Sequence, residues 1–314
     1  MERKLNKLSV VVPAYNEQEV LSMFCGRMTD VLDSLNCDYE IIFVDDGSRD
    51  DTWQIIENEC EKNRRIRGLR FARNFGHQLA VTAGMDAAKG DALVVIDADL
   101  QDPPELIPDM VERWKEGFDV VYGKRKKREG ETAFKKLTAF LYYRLLKSMS
   151  GSAIPLDTGD FRLLDRRVAA AMSGMREHNR FLRGLSSWTG FSQCPIEYVR
   201  HERAAGKTKY TLKKMFKLAA DGIIGYSSKP LTMAFFMGGG VIGLTLAAMI
   251  ALLIVQIVNG FSLLPWVLAL LFLVCGVILA FMGVIGAYVA RIYDEAKNRP
   301  LYIISERANV VAEA

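Results

Sequence analysis

Along the first part of the chain, short runs rich in Val, Ile and Phe alternate with longer stretches whose apolar residues recur at helical spacing. The runs are Leu8 to Val12, Tyr39 to Val44, Ile66 to Phe71, Ala92 to Ile96 and Asp119 to Tyr122, and the helical stretches lie near 17–35, 51–63, 77–89 and 104–116. Strands separated by helices predict a mostly parallel sheet covered by helices, an α/β domain. Pro103 and Pro104 suit the opening of the fourth helix, where a fixed φ and a missing N–H cost nothing. Between 130 and 229 the spacing turns mainly helical, with strands expected at Phe161 to Leu164 and Ile196 to Arg200.

The pattern then changes character: from Lys229 to Arg291 no charged residue and no histidine intervenes. A membrane crossing takes about 20 apolar residues, so this stretch is long enough for two. Asn259, Gly260, Ser262 and Pro265 divide it, giving expected transmembrane helices at roughly 231–257 and 266–290. Lysines crowd the preceding flank (Lys213, Lys214, Lys217, Lys229) and Arg291, Lys297 and Arg299 the following one, while the connecting loop has none. The positive-inside rule then puts both flanks, both termini and the α/β domain in the cytoplasm. The segment 211–229 reads as a basic amphipathic helix lying in the membrane interface, or as a surface helix packed on the domain. The expected domains are therefore 1–210, the juxtamembrane helix 211–229, two spans within 230–290, and a tail from 291 to 314.

Composition narrows the partners. Among 314 residues, 41 are Lys or Arg and 37 Asp or Glu, a net charge of +4 that supplies no general positive field for nucleic acid. Anion binding must be local. Five cysteines without a C-x-x-C pair, one of them (Cys275) within an expected span, fit reduced thiols and a cytosol-facing domain.

Each expected strand ends in a polar cluster: Ala14-Tyr15-Asn16-Glu17, Asp45-Asp46-Gly47-Ser48, Arg73-Asn74-Phe75-Gly76 and Asp97-Ala98-Asp99. Open α/β sheets bind ligands beyond the carboxyl ends of their strands, so these four clusters are expected to form one site. Asp97 and Asp99, two residues apart on an extended chain, point to the same side and can share a cation. Hard oxygen ligands favour Mg²⁺ or Mn²⁺, which use one or two carboxylates together with substrate phosphates. His77, His178 and His201 are scattered and suit no zinc site. Asp45 is expected to touch a nucleoside, whereas Asp46 either joins it or caps a helix at Asp50-Asp51. Neither G-x-x-x-x-G-K-[ST] nor G-x-G-x-x-G is present, which disfavours a kinase or a dinucleotide enzyme.

Taken together, Val11-Val12-Pro13-Ala14-Tyr15-Asn16-Glu17, Val44-Asp45-Asp46-Gly47-Ser48, Arg73-Asn74-Phe75-Gly76, Asp97-Ala98-Asp99-Leu100-Gln101-Asp102-Pro103-Pro104 and Gly159-Asp160-Phe161-Arg162 resemble family 2 glycosyltransferases of the polyprenyl-phosphate type. The motifs run in that family's order over residues 8–165, and two closing spans resemble its bacterial bactoprenol branch. The resemblance implies a GT-A (Rossmann-like) fold, a nucleotide-diphosphate sugar donor, a divalent cation and a polyprenyl (undecaprenyl) phosphate acceptor, with inverting transfer of a hexose. By resemblance UDP-glucose ranks first as donor, then UDP-N-acetylglucosamine, then GDP-mannose.

Carried over residue by residue, Pro13, Tyr15, Glu17, Asp45, Asp46, Asn74 and Asp97 would bind the nucleotide sugar. Asp97, Asp99 and Gln101 would arrange the metal and diphosphate. Asp160, with Asp99, would stand at the reaction centre, either taking a residual proton or orienting the acceptor; an ion pair with Arg162 or Arg166 is the structural alternative. Arg125, Arg128, Arg203 and Lys207 would meet the acceptor phosphate, arginine's fork suiting phosphate oxygens. A processive polysaccharide synthase shares the nucleotide half, but its Q-x-x-R-W motif is poorly matched by Arg183-Gly184-Leu185-Ser186-Ser187-Trp188. A scaffold or transporter with a degenerate sugar-binding domain is a further alternative, against which stand the retained Asp99 and Asp160 and spans nearly free of polar residues apart from Gln256. Small residues at Gly238-Gly239-Gly240, Gly243 and Gly283-x-x-Gly286 would let helices pack within one chain or in a homo-oligomer.

This topology is directly testable. Single cysteines at Asn259 and Ser305 should label from outside and inside the membrane respectively, and equal accessibility of the two would mean that a span is misread.

Overall fold

The structure is a computed structural model that describes residues 3–126, 158–199 and 264–309, with isolated helical positions between 240 and 251. The chain divides into two compact units, one of Met1–Lys147, Ser152–Thr211 and Pro300–Ala314, the other of Ser148–Gly151 and Leu212–Arg299. In the first unit the described elements are β1 (Lys7–Ala14), α1 (Leu21–Asp33), β2 (Asp38–Asp45), α2 (Thr52–Lys62), β3 (Ile66–Phe71), α3 (His77–Ala87), β4 (Ala92–Val95), a 3₁₀ turn (Pro104–Leu106), α4 (Ile107–Lys115), β5 (Val120–Arg125), β6 (Thr158–Asp165), α5 (Arg166–Gly174), α6 (Leu182–Trp188), β7 (Gln193–Tyr198) and β8 (Ile304–Ala308).

The strands form one sheet in the order β7-β5-β6-β4-β1-β2-β3-β8. Its centre, β3-β2-β1-β4, is parallel, and β6 and β8 run antiparallel to their neighbours. Central strands covered on both faces are near-continuously apolar, as β1 (KLSVVVPA) and β2 (DYEIIFVD) are apart from the buried Ser9, Glu40 and Asp45. Alternation then sorts the side chains: Val10 and Val12 join the core under α1, α2 and α4, while Val11 joins the core under α3 and α5. Every residue of β1 from Leu8 to Ala14 is buried, so the strand ends at the sheet's carboxyl edge are rigidly placed.

Expectation and structure agree closely over the first 125 residues. Pro104 opens the turn before α4, as its fixed φ suggests. Two elements differ. The strand expected at Ile196 to Arg200 starts earlier, at Gln193, because parallel pairing with β5 sets Val120 opposite Gln193 and Val121 opposite Cys194. The stretch read as a tail contains β8, which pairs antiparallel with β3.

In the second unit the described helix is α7 (Leu264–Ala296), which covers the second expected span and continues past Arg291. Its segment Leu273–Ala296 is, among the described residues, the one helix long and apolar enough to cross a membrane. Large apolar side chains such as Leu279, Met282 and Ile285 stand exposed on it. The first expected span and the juxtamembrane helix 211–229 lie outside the described residues, apart from those isolated positions.

Close packing of α3 on the sheet depends on Gly84, since a Cβ there would lie 2.2 Å from Val11 Cγ1 in a buried strand. Gly84→Ala should therefore destabilise the domain by about 1–3 kcal/mol, the cost of overpacking, despite alanine's better helix propensity. A thermal unfolding midpoint equal to or above wild type would refute this reading of the contact.

Candidate active site

The loops after β1 and β2 are laced together. The backbone N–H of Asn16 donates to Ser48 Oγ (2.9 Å) and that of Glu17 to Thr52 Oγ1 (2.8 Å), while Asn16 Oδ1 accepts from Arg49 N (2.9 Å). Asn16 adopts φ 53°, a left-handed value that asparagine tolerates. Pro13 is buried in β1, whereas Tyr15 and Glu17 are half-buried. Asp46 organises the next loop: its carboxylate accepts from Phe75 N (2.7 Å), Gly76 N (3.0 Å) and Asn74 Nδ2 (2.9 Å). It caps nothing at Asp50-Asp51; Asp50 itself accepts from Thr52 N (3.1 Å). Gly47, at φ 70°, lets the β3 loop pass, because a Cβ would meet Arg73 C at 2.6 Å.

Asp45, expected to touch a nucleoside, is turned into the fold. It is fully buried, accepts from Ser48 N (3.0 Å) and lies 3.4 Å from Arg70 Nε. Burial pushes its carboxyl pKa up, against the Ser48 contacts and Arg70. It holds the Asp45 to Ser48 turn rather than opening onto the crevice.

Asp97 and Asp160 meet at the crevice end of β4 and β6. The first residues of α3 stand between them, with His77 Nε2 3.2 Å from Asp160 Oδ2 and 3.7 Å from Asp97 Oδ1. Gln78 Nε2 donates to Asp160 Oδ2 (3.3 Å), and Gln78 Oε1 accepts from Leu182 N (2.8 Å), satisfying a free N–H at the start of α6. From α6, Arg183 donates to both oxygens of Asp160 (2.8 and 3.3 Å). The buried Arg162 braces this arrangement, donating to Ser186 Oγ (2.6 Å) and Gly159 O (3.0 Å).

The electrostatics follow from this crowding. Burial opposes ionisation of Asp160, yet Arg183 and His77 hold its carboxyl well below the ordinary range. Burial together with the Asp160, Asp99 and Asp102 carboxylates pushes Asp97 up to about 6, against the pull of His77. Burial likewise disfavours a charged His77, but Asp97 and Asp160 outweigh it and raise the imidazole to about 9.

A divalent cation fits this setting. Asp97 Oδ1 is sealed from solvent without a hydrogen-bond partner, and an oxygen in that state is stabilised by a cation. Asp99 Oδ1 accepts from Gln101 N (3.2 Å), a turn that Leu100 completes at φ 56°. Asp102, buried and hydrogen-bonded by the Tyr198 hydroxyl, anchors this loop to β7. Among the described residues no group of three His, Cys, Asp or Glu side chains is arranged around a common point, so diphosphate and water oxygens would complete the shell.

The structure thus brings Asp97 and Asp160 together, gives Asp46 a loop-building role with Asn74, and ties the Asp160 carboxylate to Arg183, while Arg162 reaches only the Asp160 carbonyl (3.4 Å). The side chain of Arg125 and the residues Arg128, Arg203 and Lys207 lie outside the described residues. Sequence reasoning missed His77, Gln78 and Arg183. The available signal was position: His77 follows a glycine at φ 107° where α3 starts at the strand-end crevice.

This sheet order, with a strand-end Asp-x-Asp facing a second aspartate, defines a GT-A-like α/β domain. Residues 9–172 match the glycosyl transferase family 2 model, and the chain belongs to that family. An uncharacterized glycosyltransferase of Bacillus subtilis (strain 168) is 51% identical over 302 residues, 95% of this chain and 93% of that one. The SfII prophage-derived bactoprenol glucosyl transferase of Shigella flexneri is 38% identical over 307 residues, 96% of this chain and 99% of that one. Among solved structures, a glucosyl-3-phosphoglycerate synthase from Mycobacterium tuberculosis aligns with a TM-score of 0.49 and 20% identity, over 70% of this chain and 78% of that one.

Asp46→Ala removes the acceptor for three part-buried donors, at a cost of about 1–3 kcal/mol. Hydrogen exchange should show the amides of Phe75 and Gly76 losing protection in this variant, and unchanged protection would mean that Asp46 does not hold the loop.

Proposed function

We propose that the protein transfers a hexose from a nucleotide-diphosphate sugar, UDP-glucose first, to a polyprenyl phosphate at the cytoplasmic face of the membrane, with inversion at the anomeric carbon. The observation that carries this reading is the crevice where the unpartnered Asp97 oxygen faces His77 and the Arg183-bound Asp160. Two opposed carboxylates there suit a donor diphosphate on one side and an incoming anionic acceptor on the other. The bactoprenol glucosyl transferase relatives and the exposed apolar helix α7 support a lipid acceptor.

In this reading a phosphate oxygen of the acceptor attacks the anomeric carbon as the bond to the diphosphate breaks, and the nucleoside diphosphate leaves. Asp97 and Asp99, with Gln101, would hold Mg²⁺ or Mn²⁺, whose charge offsets that developing on the leaving diphosphate, an effect worth several kcal/mol. Tyr15 and Glu17 would line the nucleoside side, just beyond the buried Pro13 at the end of β1, on a site whose loops Asp45, Asp46 and Asn74 hold in place. A lipid phosphate is largely ionised near neutral pH, its second pKa being roughly 6, so it needs alignment more than deprotonation. Asp160, held ionised by Arg183 and His77, is a weak base, which favours its orienting the acceptor. The side chain of Arg183 is partly exposed and supplies positive charge on that side, beside the expected cations Arg125, Arg128, Arg203 and Lys207.

Purified protein incubated with polyprenyl phosphate and a panel of nucleotide sugars should yield a polyprenyl-phosphate sugar. Excess chelator or Asp99→Ala should abolish the product, and full activity under chelation would remove the metal from the scheme. Asp160→Asn should cut turnover at least about 100-fold while donor affinity by titration stays within a few fold, since an acceptor-side group affects kcat more than donor binding. Loss of donor binding instead would move Asp160 to the donor site.

A further inference from the structure

The strand β8 lies beyond the apolar helix in sequence, yet its side chains lead to the nucleotide loops. Sheet register sets Asp45 of β2 opposite Arg70 of β3, and Arg70 opposite Glu306 of β8. The three form an acid-base-acid row across adjacent strands. Arg70 Nη1 donates to Glu306 Oε1 (2.7 Å) and Arg70 Nε lies 3.4 Å from Asp45 Oδ2. Glu306 Oε2 accepts from Trp53 Nε1 (3.1 Å), and the Arg70 guanidinium lies 5.8 Å from the Trp53 ring centroid. Asp45 Oδ2 has no hydrogen bond of good geometry, so Arg70 is the cation that compensates a fully buried carboxylate.

A second line of contacts reaches the same loops. Tyr302 stacks on Phe71 (centroids 5.2 Å, 17°) and donates to Asp86 Oδ2 (2.8 Å), while Ala72 N donates to Ile303 O (3.0 Å). These contacts hold the exit of β3 immediately before Arg73 to Gly76, the loop gripped by Asp46. Asn309 pins the far end of the strand to the carbonyls of Arg64 (2.9 Å) and Ile66 (2.7 Å), remote from the charge row.

We infer that Glu306 and Arg70 are positioning residues for the nucleotide-sugar donor, so that the segment following the apolar helix forms part of the donor site's supporting wall. This rests on the donor reading given above. Glu306 acts by aiming Arg70, and Arg70 by pairing with the buried Asp45 carboxyl, which holds the Asp45 to Ser48 turn in place. The Arg70–Glu306 pair on the exposed sheet edge adds little to stability, so Glu306→Gln should be felt in ligand affinity first, whereas removing Arg70 also leaves the buried Asp45 carboxyl uncompensated and should lower the thermal midpoint as well.

The test is isothermal titration of the full-length protein in detergent with UDP, GDP and ADP, using the nucleotide that wild type binds best. Arg70→Met should weaken binding by at least about 10-fold, and Arg70→Lys, which keeps the charge, by only about 3-fold. Glu306→Gln, at an exposed position that tolerates substitution, should weaken it by about 3- to 10-fold. The double variant should be no weaker than Arg70→Met alone, because the two act in series. Asn309→Ala serves as the edge control: it should lower the thermal midpoint without moving the dissociation constant. If Glu306→Gln behaves like Asn309→Ala, leaving affinity within 2-fold while the midpoint falls, the strand is merely structural and the inference fails. If wild type binds none of the nucleotides, the donor reading itself fails.

Discussion

Asp97, just beyond β4, and Asp160 of β6 share one crevice, and like charges so placed cannot remain ionised without positive charge between them. This constraint explains most of the local architecture. α3 must begin where it does, to bring His77 between Asp97 and Asp160. α6 must turn its first residues inward, so that Arg183 grips Asp160 with its fork, and Gln78 joins the two helices through a side-chain bond at the start of α6. Arg162 and Arg180 then fasten the segments on either side, Arg162 to Gly159 and Ser186, Arg180 to the carbonyls of Met172 and Met175. What remains is Asp97 Oδ1, which His77 approaches to 3.7 Å but which accepts no hydrogen bond.

The two carboxylates are consequently different groups despite identical chemistry. Asp160 has two cationic partners and stays ionised, whereas Asp97, among other acids, is pushed up to about 6. Carboxyls whose environments push them apart in this way are the mark of a functional crevice rather than of a solvated face. A second acid set, at the opposite end of the strands, does purely structural work: Glu40 is buried and receives Ser9, Lys89 N and Arg67, which together hold it ionised despite burial.

Much of this was legible from residue order alone. The alternation of apolar runs and helical stretches located β1 to β5 and α1 to α4, because buried parallel strands leave an unmistakable mark, and the strand-end clusters located the crevice. Partnerships were harder to read. Asp160 and Arg183 lie 23 residues apart, with α5 between them, and nothing in the intervening spacing announces an ion pair. Asp45 and Asp46 look equivalent in sequence, yet strand alternation turns the first inward to Arg70 and the second toward the β3 loop. β8 escaped notice because ISERA lacks the apolar alternation of a strand, with Ser305, Glu306 and Arg307 all exposed; an edge strand needs only one partner and can stay polar.

That last strand also bears on how the catalytic half can be isolated. The unit that contains the crevice is assembled from chain on both sides of the apolar helix, so the helix is an insertion rather than an appendage. A version shortened to end before residue 212, the obvious route to a water-soluble fragment, would lose β8 and leave the β3 edge bare. Unpaired N–H and C=O groups, flanked by the newly uncovered Phe71 ring, would then invite edge-to-edge pairing between molecules. A soluble fragment is better obtained by replacing the helix with a polar linker long enough to cross the sheet, since β7 and β8 lie at its opposite edges, so that the chain still returns to close its own sheet.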